Sequence, residues 1–203
     1  MQTRKFEVGK YIVEYIEELH LYIVNGVILP SITTIIKSKF PVDVNIPDEV
    51  LQNAKERGNR VHKEIEDFEK SGLVPLESQE FNNYLSLKNL YKFKVIDSEK
   101  IVVLEIDNKP VAVGRLDQVI SINNELAIND IKSTSTLNRD YLYYQTNLYR
   151  IAHNQTYGTD IKLCYGTHLN KDTKAFKRLP TNTEIVIHLV KEYLKKKEEN
   201  ENE

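Results

Sequence analysis

The chain begins with alternating apolar and polar residues, a pattern typical of β-strands that bury one face. This alternation covers residues 10–29 and contains Asn25-Gly26, a pair that favours a two-residue hairpin turn. Ser31 follows where its side chain can cap a short helix over residues 32–36, and Pro41 separates that helix from the next element. The pattern therefore predicts a hairpin and a short helix within residues 1–47.

Apolar residues then recur at helical spacing, and later in short strand-like runs separated by turn residues. Two helices, three strands in close order, a long helix and two further strands are predicted over residues 48–69, 78–93, 100–106, 111–120, 126–132, 138–157, 161–169 and 175–179. Thr181 with Glu184 resembles a capping box that opens a final helix, and a charged tail follows it. The order α-β-β-β-α-β predicts an α/β or α+β fold with a central mixed sheet flanked by helices.

Composition narrows the class of protein. With 203 residues and 40% hydrophobic content, the chain can bury a core, which excludes a disordered protein. Its 28 basic and 30 acidic residues give a net charge of −2, which disfavours nucleic-acid binding by bulk charge but allows one local basic groove. Cys164 is the single cysteine, so an intramolecular disulfide or a cluster of cysteine ligands within the chain is excluded.

No apolar run reaches the length of a membrane helix, and the first residues lack the apolar segment of a signal peptide. We therefore expect a cytoplasmic protein with no membrane partner.

Two consecutive predicted strands carry acidic residues that would lie side by side. Asp117 ends the run Gly-Arg-Leu-Asp, and Asp130 begins the run Asp-Ile-Lys that ends at Lys132. Adjacent carboxylates in a partly buried sheet repel each other unless a divalent cation neutralises them, and oxygen ligands suit Mg²⁺ or Mn²⁺. Lys132 would orient the attacking water or neutralise phosphate charge. An isolated Asp-x-Lys triplet also fits a surface salt bridge, and the triplet alone leaves that alternative open.

The sequence resembles the PD-(D/E)XK nuclease superfamily in its RecB-like branch, most closely phage exonucleases and the mitochondrial genome maintenance exonuclease group. The resemblance covers roughly residues 20 to 170 and implies a restriction-endonuclease-like core with the predicted element order. It rests on five blocks in one order: Leu29-Pro30-Ser31-Ile32-Thr33, Gly58-Asn59-Arg60-Val61-His62, Gly114-Arg115-Leu116-Asp117, Asp130-Ile131-Lys132-Ser133-Thr134 and Gln145-Thr146-Asn147-Leu148-Tyr149.

The resemblance assigns roles to the matching residues. It implies that Asp117 and Asp130 bind the catalytic metal, that the backbone carbonyl of Ile131 joins the metal shell, and that Lys132 completes the hydrolytic site. His62 matches the additional histidine ligand of the RecB-like branch. Without the resemblance, His62 would be interpreted as a partly exposed helix histidine.

Four further residues are candidates for the site. Gln145 and Tyr149 match a QxxxY element whose i,i+4 spacing places both on one helix face, where they would steady the catalytic lysine or hold the substrate backbone. Tyr149 also fits as a core residue. Glu66, one turn after His62, would orient that histidine or face solvent. Glu105 would add a carboxylate or lie at the surface.

The resemblance implies a Mg²⁺- or Mn²⁺-dependent deoxyribonuclease, an exonuclease of phage or cellular DNA replication, recombination or repair that works with partner proteins of those processes. Its substrate would be single-stranded or free-ended DNA. A single nuclease domain is expected over residues 1–203, with the catalytic core at 48–180 between an N-terminal part at 1–47 and a C-terminal helix and tail at 181–203. Related nucleases often carry four cysteines for an iron–sulfur cluster, so this chain would be a cluster-free variant.

Basic residues are the candidate DNA contacts, although a solvated hairpin tip explains most of them equally well. They are Arg115, Lys162, His168, Lys171, Lys174, Lys177 and Arg178. Two other functions stay open: a non-catalytic DNA-binding or assembly module on the same fold, and an unrelated α/β protein whose Asp-x-Lys triplet is a surface pair. Oligomeric state and cleavage polarity are not determined by the sequence.

Overall fold

The computed structural model describes residues 3–41 and 46–201, and within these ranges it contains two β-sheets and five α-helices. The fold is mixed α+β, and the succession α-β-β-β-α-β that the sequence predicts is present. The helices are α1 (Ile32–Lys39), α2 (Asp48–Ser71), α3 (Gln79–Tyr91), α4 (Arg139–Tyr157) and α5 (Thr183–Glu201). None of the helices formed by residues 3–41 and 46–201 is long and apolar enough to cross a membrane.

The first sheet is an antiparallel meander at the start of the chain. Its strands are β1 (Thr3–Val8), β2 (Tyr11–Ile16), β3 (Leu21–Val24) and β4 (Val27–Leu29). The predicted hairpin is β3 and β4, and the turn residues Asn25 and Gly26 both have positive φ, as this tight turn requires. The alternation that precedes the hairpin forms β2, which pairs with both β1 and β3.

The second sheet has five strands in chain order. They are β5 (Lys94–Ile106), β6 (Lys109–Ile122), β7 (Glu125–Lys132), β8 (Leu163–Leu169) and β9 (Lys174–Leu179). Every neighbouring pair is antiparallel except β7 and β8, which are parallel and are connected through α4. The strand β5 begins at Lys94, well before the predicted start near residue 100, and this difference brings another acidic residue into the sheet.

Local signals define most helix ends. The Ser31 hydroxyl accepts a hydrogen bond from Thr34 N at 3.0 Å, and Gly158 ends α4 with a left-handed φ of 66°. The predicted capping box at Thr181 is wrong, because Ile185 N donates to the Asn182 side chain instead. The charged run near the end of the chain continues α5 as far as Glu201.

Helices cover both faces of the second sheet. On one face α1, α4 and α5 pack against β5, β6 and β7, and on the other α2 and α3 pack against β6 to β9. The first sheet packs against β5 and β6 through a separate apolar cluster that includes Val13, Val24, Val103 and Val113. The middle of β6 and β7 is therefore enclosed, so polar groups there are removed from water.

Candidate metal centre

Three acidic residues lie in one row across β5, β6 and β7. The antiparallel register continues from the neighbouring pairs to place Glu99 beside Asp117, and Asp117 beside Asp130. The juxtaposition of Asp117 and Asp130 is the one that the sequence predicts. Asp117 Oδ2 also accepts a 2.7 Å hydrogen bond from the backbone N–H of Ile131, which holds this carboxylate against β7.

His62 reaches this row from α2. Its Nε2 lies 3.0 Å from the carbonyl oxygen of Ile131, and its Nδ1 lies 3.6 Å from Asp117 Oδ1. A carbonyl only accepts, so in the neutral ring Nε2 carries the proton and Nδ1 presents a lone pair toward Asp117. The Ile131 carbonyl thereby orients His62 as outer partners orient metal-bound histidines.

One nitrogen of His62 and one oxygen each of Glu99 and Asp117 lie within 4.8 Å of one another. A nitrogen with two carboxylate oxygens is a donor set that accepts Mg²⁺ or Mn²⁺, so the residues present fit a divalent cation. Sequence reasoning missed Glu99 because the predicted strand began one residue after it. The β-branched pair Val95-Ile96 directly after Lys94 was the available signal that β5 begins earlier.

The backbone at Glu99 has a φ of 55°, an uncommon conformation for a residue with a side chain. Its side chain forms a 2.9 Å salt bridge with Arg115. Burial and the negative charge of Asp117 raise the pKa of Glu99. Glu99 thus has a strained backbone conformation, and its carboxylate is repelled by that of Asp117. Strained backbone conformations cluster at functional sites.

Asp130 is the most deeply buried acid of the row. Its side chain is 1% exposed; Oδ2 lies 2.5 Å from Lys132 Nζ in an ion pair, whereas Oδ1 has no hydrogen-bond partner among the described residues. Burial and the charge of Asp117 raise the pKa of Asp130 to about 6. The pair is therefore buried and is not the surface salt bridge that the triplet alone left open.

Lys132 keeps its proton in this setting. Burial disfavours its ammonium, but the charges of Asp130 and Asp117 outweigh burial and raise the pKa of Lys132. A cationic donor thus lies beside two carboxylates that repel each other. This arrangement gains stability from any added positive charge.

The helix α4 lies over Asp130 because β6 and β8 carry glycines beneath it. A Cβ at Gly114 would lie 2.5 Å from the Tyr149 ring, and one at Gly166, which pairs with Asp130, would lie 2.4 Å from Leu142. Tyr149 is a core residue whose hydroxyl accepts a 3.3 Å hydrogen bond from Gln145 Nε2. Burial raises its pKa, so the phenol stays protonated.

Gln145 is 5% exposed, and its Oε1 has no hydrogen-bond partner among the described residues. A buried amide oxygen without a donor is costly in a finished core, so this atom is available to a ligand or a water. The structure thus separates the two residues of the QxxxY element: Tyr149 packs, and Gln145 presents a polar atom.

A buried chain of hydrogen bonds supports the row from the opposite face of the sheet. Thr167 donates to Asn129, Asn129 to Gln118 and Gln118 to the Tyr84 hydroxyl, with distances of 2.9, 2.9 and 3.0 Å. Asn129 and Gln118 are the immediate neighbours of Asp130 and Asp117. The sequence analysis gave them no role, although two amides inside apolar strands were a visible signal.

The other acidic candidates lie in different places. Glu105 pairs with Lys10 at 3.0 Å, and it stands six residues along β5 from Glu99, roughly 20 Å at the rise of a strand. The structure therefore does not bring Glu105 to the site. Glu66 binds Lys70 at 2.5 Å, and its charge contributes to the raised pKa of Glu99, so it lies at the margin of the row.

The basic candidates do not form one track. Arg115 lies beside the row and binds Glu99, whereas Lys162 pairs with Asp160 at 3.2 Å before the start of β8, away from Asp130. Of the remaining candidates, Lys174, Lys177 and Arg178 are exposed on β9. Lys171 precedes β9 and lies close enough to Glu80 to affect the pKa of that residue. His168 lies on β8, where its Nε2 is 2.7 Å from the Thr134 carbonyl oxygen. Lys177, Arg178 and His168 line a common cavity of about 490 Å³.

Comparisons with known proteins assign no family to the chain. No protein-family model matches it, and no curated protein matches it. Among solved structures, the crystal structure of SSO0001 aligns with a TM-score of 0.43 and 14% sequence identity, over 81% of this chain and 74% of that one. The chemistry of the site therefore rests on the residues of this chain.

Proposed function

We propose that the protein is a metal-dependent deoxyribonuclease built on a restriction-endonuclease-like core, and that it acts on free DNA ends. The observation that carries this proposal is the buried carboxylate of Asp130, which has Lys132 as its ion-pair partner, keeps one oxygen without a partner among the described residues, and lies in one row with Asp117 and Glu99. Burying such a group costs stability unless a ligand compensates it, and the row of acids makes that ligand a cation. A structural salt bridge would not need two further carboxylates.

Mg²⁺ or Mn²⁺, when bound, would polarise a phosphoryl oxygen and lower the pKa of a water. His62, Glu99 and Asp117 would hold the ion, with Asp130 completing the set from the adjacent strand. The ion would also relieve the repulsion that raises the pKa values of Glu99 and Asp130.

The chain supplies the remaining chemistry through two side chains. Lys132 is protonated and positioned by Asp130, so it can donate a hydrogen bond to an oxygen of the scissile phosphate and offset developing charge. Gln145 Oε1 can accept a hydrogen bond from the attacking water and fix its direction. The hydroxyl of Tyr149 holds the other end of that amide.

The chain provides a matched control for this site, because the triplet Asp-Ile-Lys occurs twice. Asp130 and Lys132 are buried, whereas the side chains of Asp160 and Lys162 are 81% and 75% exposed. The experiment incubates end-labelled single-stranded, blunt and nicked DNA, and a closed circle, with Mg²⁺, Mn²⁺ or EDTA. We expect metal-dependent loss of the linear substrates, with the closed circle resistant.

Asp130→Ala and Lys132→Ala should each reduce the cleavage rate by roughly 100-fold or more, the size typical of removing one electrostatic stabiliser of a transition state. Asp160→Ala and Lys162→Ala should cleave at the wild-type rate. Full activity in Asp130→Ala would refute the assignment. DNA binding without cleavage under every metal condition would favour the non-catalytic module instead.

A further inference from the structure

We propose that a cleft beside the acidic row binds single-stranded DNA by stacking its bases on two tyrosines. This inference rests on the proposed function, since it concerns the substrate of the same site. The cleft has a volume of about 460 Å³ and lies between the first sheet, α1 and α2. The lining residues that carry the inference define the tyrosine cleft: Tyr15, Tyr22, Ser31, Thr33, Lys37 and Lys55.

The tyrosine cleft opens onto the proposed metal centre. Gly114, Arg115 and Tyr149 form its inner wall, and each is linked to the site described above. Arg115 binds Glu99 at 2.9 Å, and the Tyr149 hydroxyl binds Gln145. A DNA strand bound in the cleft would therefore lie beside residues that contact Glu99 and Gln145.

The two tyrosines provide aromatic surface for bases. Tyr15 and Tyr22 are direct cross-strand partners on β2 and β3, with ring centroids 4.8 Å apart and an interplanar angle of 31°. The Tyr15 hydroxyl lies 2.8 Å from His20 Nδ1, and the ring itself provides the stacking surface. Both rings are partly exposed, and base stacking on such rings tolerates any sequence.

The opposite wall suits the phosphate backbone. Lys37 on α1 and Lys55 on α2 are exposed, and neither forms an ion pair with any residue in 3–41 or 46–201. Ser31 and Thr33 contribute hydroxyl-bearing side chains to the same lining, and no lining residue is acidic. Cations and hydroxyls are the usual protein contacts to phosphate oxygens.

The combination favours an unpaired strand over a duplex. A base within a duplex is stacked on its neighbours and cannot lie against Tyr15 or Tyr22 without being extruded. The volume falls in the range of small-ligand pockets, which suits single nucleotides and not a double helix. The cleft also gives a role to the first sheet and to the Leu29–Thr33 block, which the metal chemistry does not use.

Binding is tested in EDTA, which removes divalent metal and so prevents cleavage. Fluorescence anisotropy compares a labelled oligothymidylate of twelve nucleotides with a matched duplex. We expect tighter binding of the single strand. The Lys37→Ala/Lys55→Ala protein should bind the single strand at least about tenfold more weakly. The salt slope, that is the slope of the logarithm of affinity against the logarithm of salt concentration, should become shallower by about 1.4, since each lost phosphate contact on a single strand contributes about 0.7. Tyr15→Ala should weaken binding by roughly fivefold to a hundredfold, the range for one stacked base, and Tyr15→Phe should retain the affinity.

Matched controls come from sites away from the cleft. Lys109→Ala/Lys191→Ala removes the same charge from exposed positions outside the cleft, and Tyr91→Ala removes a partly exposed tyrosine from α3, so both should bind as wild type. Thermal unfolding checks that Tyr15→Ala is folded, and the exposed lysines provide a test that does not disturb packing. Wild-type affinity and salt slope in the lysine variant, or a preference for duplex, would overturn the inference.

The two proposals fail separately. If the cleft variants lose single-strand binding but no metal gives cleavage, the cleft stands and the nuclease assignment is wrong. If the wild type cleaves DNA and the cleft variants bind and cleave as it does, the nuclease stands and the cleft assignment is wrong.

Discussion

At the scale of single residues, burial makes the hydrogen bonds of a polar side chain important for holding strands together. Asn129 illustrates this: it is fully buried, accepts from Thr167 and donates to Gln118, so it joins β8 to β6 beneath the acidic row. Each end of that amide satisfies a partner that has no access to water. Asn129 therefore positions the strands that carry Asp130 and Asp117.

Asn129→Ala should lower the free energy of unfolding by about 2–3 kcal/mol, because it leaves two buried polar partners without hydrogen bonds. Chemical denaturation measures this loss. The exposed Asn53→Ala on α2 should change stability by less than about 0.5 kcal/mol. An Asn129→Ala protein as stable as the wild type would show that the network contributes little.

His153 gives a prediction about pH. It is 4% exposed and bonds Thr159 at 2.8 Å, and burial lowers its pKa from 6.5 to about 4. Below pH 6.5 the unfolded chain binds a proton that the folded chain refuses, so stability is retained above pH 6.5 and falls as the pH drops toward 4. His153→Gln should reduce this fall in denaturation midpoints between pH 6.5 and 4. The exposed His188→Gln should keep the wild-type fall, and an unchanged slope in His153→Gln would contradict the assignment.

At the scale of elements, close packing of α4 on the second sheet assembles the site. Gly114 allows this approach, because the Tyr149 ring occupies the place of a Cβ and Ile32 lies close on the other side. Both neighbours are fully enclosed, so the ring cannot move aside cheaply. The position of Tyr149, and of the Gln145 amide that bonds its hydroxyl, therefore depends on the absence of a side chain at this point of β6.

Gly114→Ala should destabilise the protein by about 1–3 kcal/mol through overpacking and reduce cleavage by displacing α4. Gly58→Ala is the matched control: a Cβ there would meet only Ser133 Oγ at 3.7 Å, and alanine is favoured in the middle of α2. That variant should be as stable as the wild type or more so. Equal stability of the two variants would show that α4 has room to shift.

At the scale of the whole molecule, the proposed metal binding at the acidic row would be coupled to folding. The repelling carboxylates oppose the folded state, and a cation that binds only the folded chain stabilises it by about 2.7 kcal/mol at a hundred times its dissociation constant. For a chain of this size that corresponds to a rise of roughly 5–10 °C in Tm. The whole fold thus reports occupancy of the site.

We expect Mn²⁺ or Mg²⁺ to raise the Tm of the wild type. Asp117→Asn should have a higher Tm than the wild type in EDTA, since it removes the charge that raises the pKa values of Glu99 and Asp130, but it should gain little from metal. Asp160→Asn should respond to metal as the wild type does. A metal response that survives in Asp117→Asn would place the ion elsewhere.

Patterns along the chain predicted most of the elements because they depend on local chemistry. The turn at Asn25-Gly26, the cap at Ser31, the end of α4 at Gly158 and the three-strand meander all follow from neighbouring residues. The errors are local too: β5 begins earlier than predicted and α5 is capped by Asn182. The first of these concealed Glu99 from the sequence analysis.

The sequence by itself determined the order of elements and the placement of Asp117 beside Asp130, since period-2 alternation and short turns leave little choice of register. The tertiary structure decided which of two identical Asp-Ile-Lys triplets is buried, because burial depends on helices that come from distant parts of the chain. It also decided that Glu99 joins the row and that Glu105 does not. Those outcomes depend on which atoms surround each carboxylate, and three-dimensional packing sets that environment.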